Sequence, residues 1–142
     1  FFGGREIHLR YFGKAHTSGD IFIHLPGERI VFTGDVAQDG GVPYLGDGYP
    51  GEWPETDNRL VELPVDRFVS GHGPVGTHEA LMTARSFIHS LVDHLNAAIQ
   101  EGQDEDTATT SVIATLTPQF GDWRGFDGLG EKLPEVYRKL RR

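Results

Sequence analysis

The sequence predicts an α+β fold, a mostly antiparallel sheet packed by helices. Three observations carry this. Residues 6–12 and 20–34 alternate at the two-residue period of strands. Residues 77–102 repeat apolar side chains at spacings of three and four, the period of a helix. Turn signals rich in Gly and Pro separate these segments. With 142 residues the chain is long enough for one domain with a real core, and neither a repeat nor a boundary interrupts residues 1–142.

The elements follow in order. In residues 6–12, Ile7, Leu9 and Tyr11 take one face and His8, Arg10 and Phe12 the other. After a turn around His16, Ile21, Ile23 and Leu25 alternate with Phe22 and His24. Pro26-Gly27-Glu28 then turns the chain into a return strand at 29–33, so residues 20–34 read as a hairpin. Residues 36–54 form an ordered loop punctuated by Tyr44, Leu45, Tyr49 and Trp53, of the kind that borders functional sites. Pro54 opens a short helix through Leu63 that turns Leu60, Val61 and Leu63 inward. Residues 67–70 form another strand. Thr77 caps a long amphipathic helix that Gly102 ends. Asp104-Glu105-Asp106 suits the start of a third helix, expected to stop before Pro118. Residues 119–130 read as loop with Trp123 and Phe126 buried. A last helix from near Pro134 buries Leu133, Val136, Tyr137 and Leu140.

Composition excludes several classes. No apolar run approaches the roughly 20 residues that span a bilayer, and no membrane partner is expected. The formal net charge of -8 argues against a nucleic-acid partner. The one basic cluster, Arg138-Lys139 with Arg141-Arg142, ends a helix, where cations favour the helix dipole. The chain has no cysteine, so a metal must be held by His, Asp or Glu. That says little about compartment; the expectation is a soluble chain, cytoplasmic in preference to secreted. The start lacks both a signal peptide and an initiator methionine, as in a fragment or a processed chain.

The chemistry centres on Phe32-Thr33-Gly34-Asp35, where a strand runs into a glycine and delivers a carboxylate. His16, in Ala15-His16-Thr17-Ser18-Gly19-Asp20, and His72, in Ser70-Gly71-His72-Gly73-Pro74, share that strand-to-loop setting. A histidine in such a loop is ordinarily structural or exposed, and Asp35 alone could close a turn. Together the three are the expected metal ligands, since imidazole and carboxylate hold zinc or iron where no thiol is present. His8 and His24 are expected to be exposed or in a second layer. His78, six residues after His72, is either structural or a supporting residue of the centre. Tyr44, Tyr49 and Trp53 either line a substrate pocket or form core under the loop.

These three motifs, in this order, resemble the third, fourth and fifth metal-binding motifs of the metallo-β-lactamase-fold hydrolases. The resemblance covers roughly residues 5–100. It implies half of a four-layer αββα sandwich with one or two zinc ions between the sheets. It also implies that His16 is a ligand of a first metal, His72 of a second, and Asp35 the bridge and the catalytic residue. The implied chemistry is hydrolysis of an ester, thioester or lactam in a small-molecule substrate by a metal-activated water. Aspartate at position 35 is similar to the glyoxalase II and lactonase branches and unlike the cysteine-bearing β-lactamases.

The family's first motif, His-x-His-x-Asp-His, is absent. His89-Ser90-Leu91-Val92-Asp93-His94 has the wrong spacing and lies in a helix, where a solvated face is the plain reading. The chain therefore reads as the C-terminal half of that fold, short of four ligands. Either it belongs to a longer hydrolase with a missing N-terminal half, or it is a self-associating half-domain whose incomplete site carries no catalysis. A homodimer is expected in both cases, because the half sheet exposes an apolar face.

Overall fold

A computed structural model describes all of Phe1–Arg142. Five strands form one sheet in sequence order: β1 (His8–Arg10), β2 (Phe22–Leu25), β3 (Ile30–Gly34), β4 (Arg67–Ser70) and β5 (Gly76–Thr77). All neighbouring pairs are antiparallel except β3 and β4, which are parallel. The helices are α1 (Trp53–Val61), α2 (His78–Gln100), α3 (Glu105–Phe120) and α4 (Leu129–Leu140). None is long and apolar enough to cross a membrane.

Topology places three loops at one edge. β1 and β3 both run antiparallel to β2, and β4 runs parallel to β3. The C-terminal ends of β1, β3 and β4 therefore point the same way. His16, Asp35 and His72 all follow those ends.

One face of the sheet carries the core. His24, Val31 and Phe68 stand in register across β2, β3 and β4, and all are buried. Gly76 completes the row on β5, and a Cβ there would overlap the Phe68 ring. Against this face pack Trp53 and Leu60 of α1 and Leu81, Ile88, Leu91 and Leu95 of α2. Thr77 caps α2, its hydroxyl accepting from Ala80 N at 3.2 Å. Asp104 caps α3, accepting from Thr107 N at 2.8 Å. Both caps follow the sequence pattern.

The other face departs from an isolated sheet. Leu9, Ile23, Phe32 and Val69 form a second row in register, and Leu9 is 72% exposed while His24 is 2% exposed. Of the two settings expected for His24, exposed or in a second layer, exposure does not hold. It packs edge-on to His8 with ring centroids 5.6 Å apart. Burial, with the nearby charges of Arg10 and His8, pushes its imidazole below the ordinary histidine range. Alternation defines two faces but not which one the helices cover.

Two prolines lie inside helices. Pro118 does not stop α3, which continues to Phe120. An internal proline costs about 3 kcal/mol. The extra turn buries Phe120 against Phe87 and Trp123, with ring centroids 5.2 and 4.8 Å away. Burial of such a ring returns roughly 2–3 kcal/mol. Likewise α4 begins at Leu129, ahead of Pro134, which buries Leu129 as well as Leu133.

Asp57 on α1 is 3% exposed, and its Oδ1 has no hydrogen-bond partner. Burial pushes its carboxyl well above the carboxylate range; the charge of Arg85 and the indole of Trp53 oppose this. The Trp53 N–H nevertheless makes no hydrogen bond of ordinary geometry. The folded chain thus holds a proton that the unfolded chain loses above about pH 4. Stability is fully present below that pH and declines as pH rises toward the folded-state pKa. Asp57→Asn is expected to flatten this decline, read as urea midpoints at about pH 5 and pH 8; equal slopes in parent and variant would refute it.

Candidate metal centre

Each of the three side chains is delivered by a locally specified turn. At the end of β3 the pairing register shifts between Phe32 and Gly34, and Gly34 has φ +56. That positive φ favours glycine and swings Asp35 off the strand. Thr33 is buried and its hydroxyl donates to Ala37 O at 3.3 Å, fixing the return of the chain. Asp20 closes the His16 turn by accepting from Thr17 N at 2.9 Å and from the Thr17 hydroxyl at 2.7 Å. The His72 turn is tied at its base, where Gly71 N donates to Gly34 O at 2.7 Å.

The structure brings the three together. His16 Nε2 lies 3.6 Å from Asp35 Oδ2, and His72 Nε2 lies 3.4 Å from Asp35 Oδ1. Both gaps exceed those of charge-assisted N–H···O bonds, about 2.7–2.9 Å. They match two donors on one tetrahedral ion: ligands about 2.1 Å from zinc stand roughly 3.4 Å apart. No three His, Asp or Glu side chains close around a single point, however. Each imidazole instead faces a different carboxylate oxygen. The donor set fits zinc in kind, but the roughly three protein donors of a catalytic site do not converge here on one point.

His16 is set for ligation through Nε2. Its Nδ1 lies 3.0 Å from the carbonyl of Tyr44, which only accepts, so Nδ1 carries the proton and Nε2 of the neutral ring keeps its lone pair. The ring packs edge-on to Tyr44 and Trp53, with centroids 6.3 and 6.1 Å away. The Trp53 side chain belongs to the core, whereas Tyr44 stays exposed beside the centre. His72 differs: its side chain is 71% exposed, against 17% for His16 and 35% for Asp35. Gly71 makes the cluster possible, because a Cβ there would overlap Asp35 Oδ1.

The remaining histidines lie elsewhere. His78 does not support this centre. Its N–H donates to Asp66 O at 3.0 Å, at the opposite end of β4 from His72. His89 packs its Nε2 3.1 Å from Pro54 O, and His94 Nδ1 is 2.6 Å from Ser90 O in its own helix. The sequence does not reveal the Tyr44 carbonyl, which has no side-chain signature. Gly71 and Asp20 are visible as motif letters, but their roles emerge only from contacts.

Comparisons with known proteins find similar chains within one superfamily. The model of the metallo-beta-lactamase superfamily matches residues 1–72. A metallo-beta-lactamase type 2 of Bacteroides fragilis is 27% identical over 95 residues, covering 63% of this chain and 38% of that protein. A hydroxyacylglutathione hydrolase of Fuscovulum blasticum is 38% identical over 58 residues, covering 40% of this chain and 23% of that protein. The solved metallo-beta-lactamase from Pontibacter korlensis superposes with a TM-score of 0.58 at 24% identity, over 63% of this chain and 44% of that one. Against these two curated relatives the chain thus spans between 23% and 38% of their length.

Gly71→Ala is expected to drive the Asp35 carboxylate away from His72 while leaving the core intact. A crystal structure of the variant measures this; an unchanged separation between Asp35 and His72 would contradict the steric account.

Proposed function

This chain belongs to the metallo-beta-lactamase superfamily, and on that premise we propose that it is the C-terminal half of a zinc-dependent hydrolase acting on an ester, thioester or lactam. The observation that carries the reading is the meeting of two imidazoles and one carboxylate at 3.4 and 3.6 Å. In this reading His16, Asp35 and His72 are the residues that would hold zinc. When bound, zinc polarises a carbonyl and makes water a nucleophile near neutral pH.

The chain's own residues perform the remaining tasks. Tyr44 O fixes the His16 tautomer, leaving a lone pair on Nε2. Asp35 supplies negative charge between the two imidazoles, without a thiolate. Among the relatives, the hydroxyacylglutathione hydrolase supports a thioester substrate and the metallo-beta-lactamase type 2 a lactam. The donors still needed come from a preceding half of the polypeptide or from a second copy. The exposed row of Leu9, Ile23 and Phe32 is the surface that such a half would cover.

A second reading is a non-catalytic, self-associating half-domain. It is favoured by the absence of a closed set of three donors. Turnover separates the two. The zinc-supplied protein is assayed on an aryl ester, a hydroxyacyl thioester and a chromogenic lactam while sedimentation reads its oligomeric state. Ester or thioester turnover that falls on the order of 100-fold in Asp35→Asn upholds the hydrolase. A dimer without turnover upholds the half-domain.

Zinc uptake is the more basic test. Equilibrium dialysis is expected to show zinc bound by the parent chain and lost in His16→Ala, Asp35→Asn and His72→Ala. A parent chain that takes up no zinc overturns the assignment of all three ligands.

A further inference from the structure

Arg124 lies in the connection between α3 and α4, beyond the residues that the superfamily model matches. Its backbone is locked to the loop that follows Asp35. Arg124 N donates to Gly40 O at 3.0 Å, and Val42 N donates to Arg124 O at 2.9 Å. The side chain continues along the same loop, with Nη2 donating to Asp39 O at 3.0 Å. The guanidinium then reaches the His72 loop. At Gly73 a Cβ would collide with Nη2 and lie 3.0 Å from Cζ, and at Gly41 a Cβ would lie 2.8 Å from Nη2. One planar group thus abuts the loop after Asp35 and the loop after His72 at the same time.

We propose that Arg124 is a positioning residue that holds the His72 loop against Asp35 so that the two present their donors together. The proposal deepens the zinc reading above and rests on it. His72 is the weakly held member of the three. It is largely exposed, and its ring has no carbonyl partner of the kind that Tyr44 gives His16. Its loop is held at the base by Gly71 N to Gly34 O and by the Ser70 hydroxyl on His72 O. Arg124 supplies the tie at the tip, at Gly73. No acidic side chain pairs with its guanidinium, although Arg5, Arg29, Arg59 and Arg138 each pair with one. Its role is therefore geometric: a rigid fork that bonds the Asp39 carbonyl with one nitrogen and fills the space where a side chain at Gly73 or Gly41 would stand. A ligand loop ordered before the metal arrives loses less freedom on binding. Lysine has neither the plane nor the fork.

Two readouts on Arg124→Ala and Arg124→Lys test this. The first is amide hydrogen exchange in zinc-free protein at residues 71–75 other than Pro74, which has no N–H, with Leu91 and Leu95 of the core as controls. The second is zinc affinity by equilibrium dialysis. In both variants exchange at 71–75 is expected to rise about tenfold with the controls unmoved, and zinc affinity to fall about tenfold. Unchanged exchange at 71–75, or a rise shared equally by Leu91 and Leu95, overturns the proposal. So does a loosened loop with undiminished zinc affinity. If the parent chain binds no zinc, the metal reading falls, and exchange alone decides whether Arg124 orders the His72 loop.

Discussion

The parallel pairing of β3 with β4 is the constraint on which the centre depends. Parallel neighbours end at the same edge, so residues remote in sequence meet there without any long excursion. The pairing extends one residue past the end of β4, through Gly71 N to Gly34 O at 2.7 Å. That bond sets the two turns side by side, and glycine is needed on both sides of it. Gly34 adopts the positive φ that lets Asp35 leave the strand. Gly71 leaves the room that the carboxylate occupies. Side-chain chemistry at this edge is thus a consequence of backbone geometry.

His16 is held by a different device. The loop between β3 and α1 has almost no regular structure, yet it orients this imidazole. Tyr44 O fixes the ring nitrogen, and Tyr49 N donates to Ala15 O at 2.8 Å. The loop is in turn anchored from α4, where Lys139 donates to Gly46 O and, at 3.0 Å, to Gly48 O. Gly48 also lies so close to Trp53 and to the Ala15 carbonyl that a Cβ would not fit. The C-terminal segment therefore touches the loops of the centre twice, through Lys139 of α4 on the His16 side and through Arg124 of the α3–α4 connection on the Asp35 side. It is not merely a second layer of core.

What the sequence discloses is what local rules encode. The hairpin at 20–34, the strand at 67–70, the Thr77 cap and the apolar stripe of α2 depend on residues within a few positions of one another, and they stand where the pattern puts them. His16, Asp35 and His72 share a strand-to-loop setting, and the three side chains do meet. What stays hidden is non-local or belongs to the backbone. The Tyr44 carbonyl carries no letter code. Arg124 reaches Asp39 across 85 positions of sequence. Pro118 and Pro134 mark helix ends by propensity, and burial of Phe120 and Leu129 overrides them. The period of two finds both faces of the sheet but cannot say that His24 lies under the helices and Leu9 in solvent.

That inversion links the fold to the missing ligands. A sheet with a buried helix-facing side and an apolar row of Leu9, Ile23, Phe32 and Val69 on the other is apolar on both faces, the pattern of an inner layer. Exposed apolar area of this kind is stabilised by burial at about 25 cal/mol per Å², which gives a second layer its driving force. The position of the row matters as much as its polarity. Phe32 stands two residues before Gly34, and Val69 one before Ser70, so the row runs up to the edge where Asp35 and His72 meet. In the proposed reading, a layer that covers the row arrives beside the donors at that edge, and covering the apolar face and completing the coordination are one event. In that reading, a chain with an open sheet and a chain with two half-filled sites are the same chain described from its core and from its chemistry.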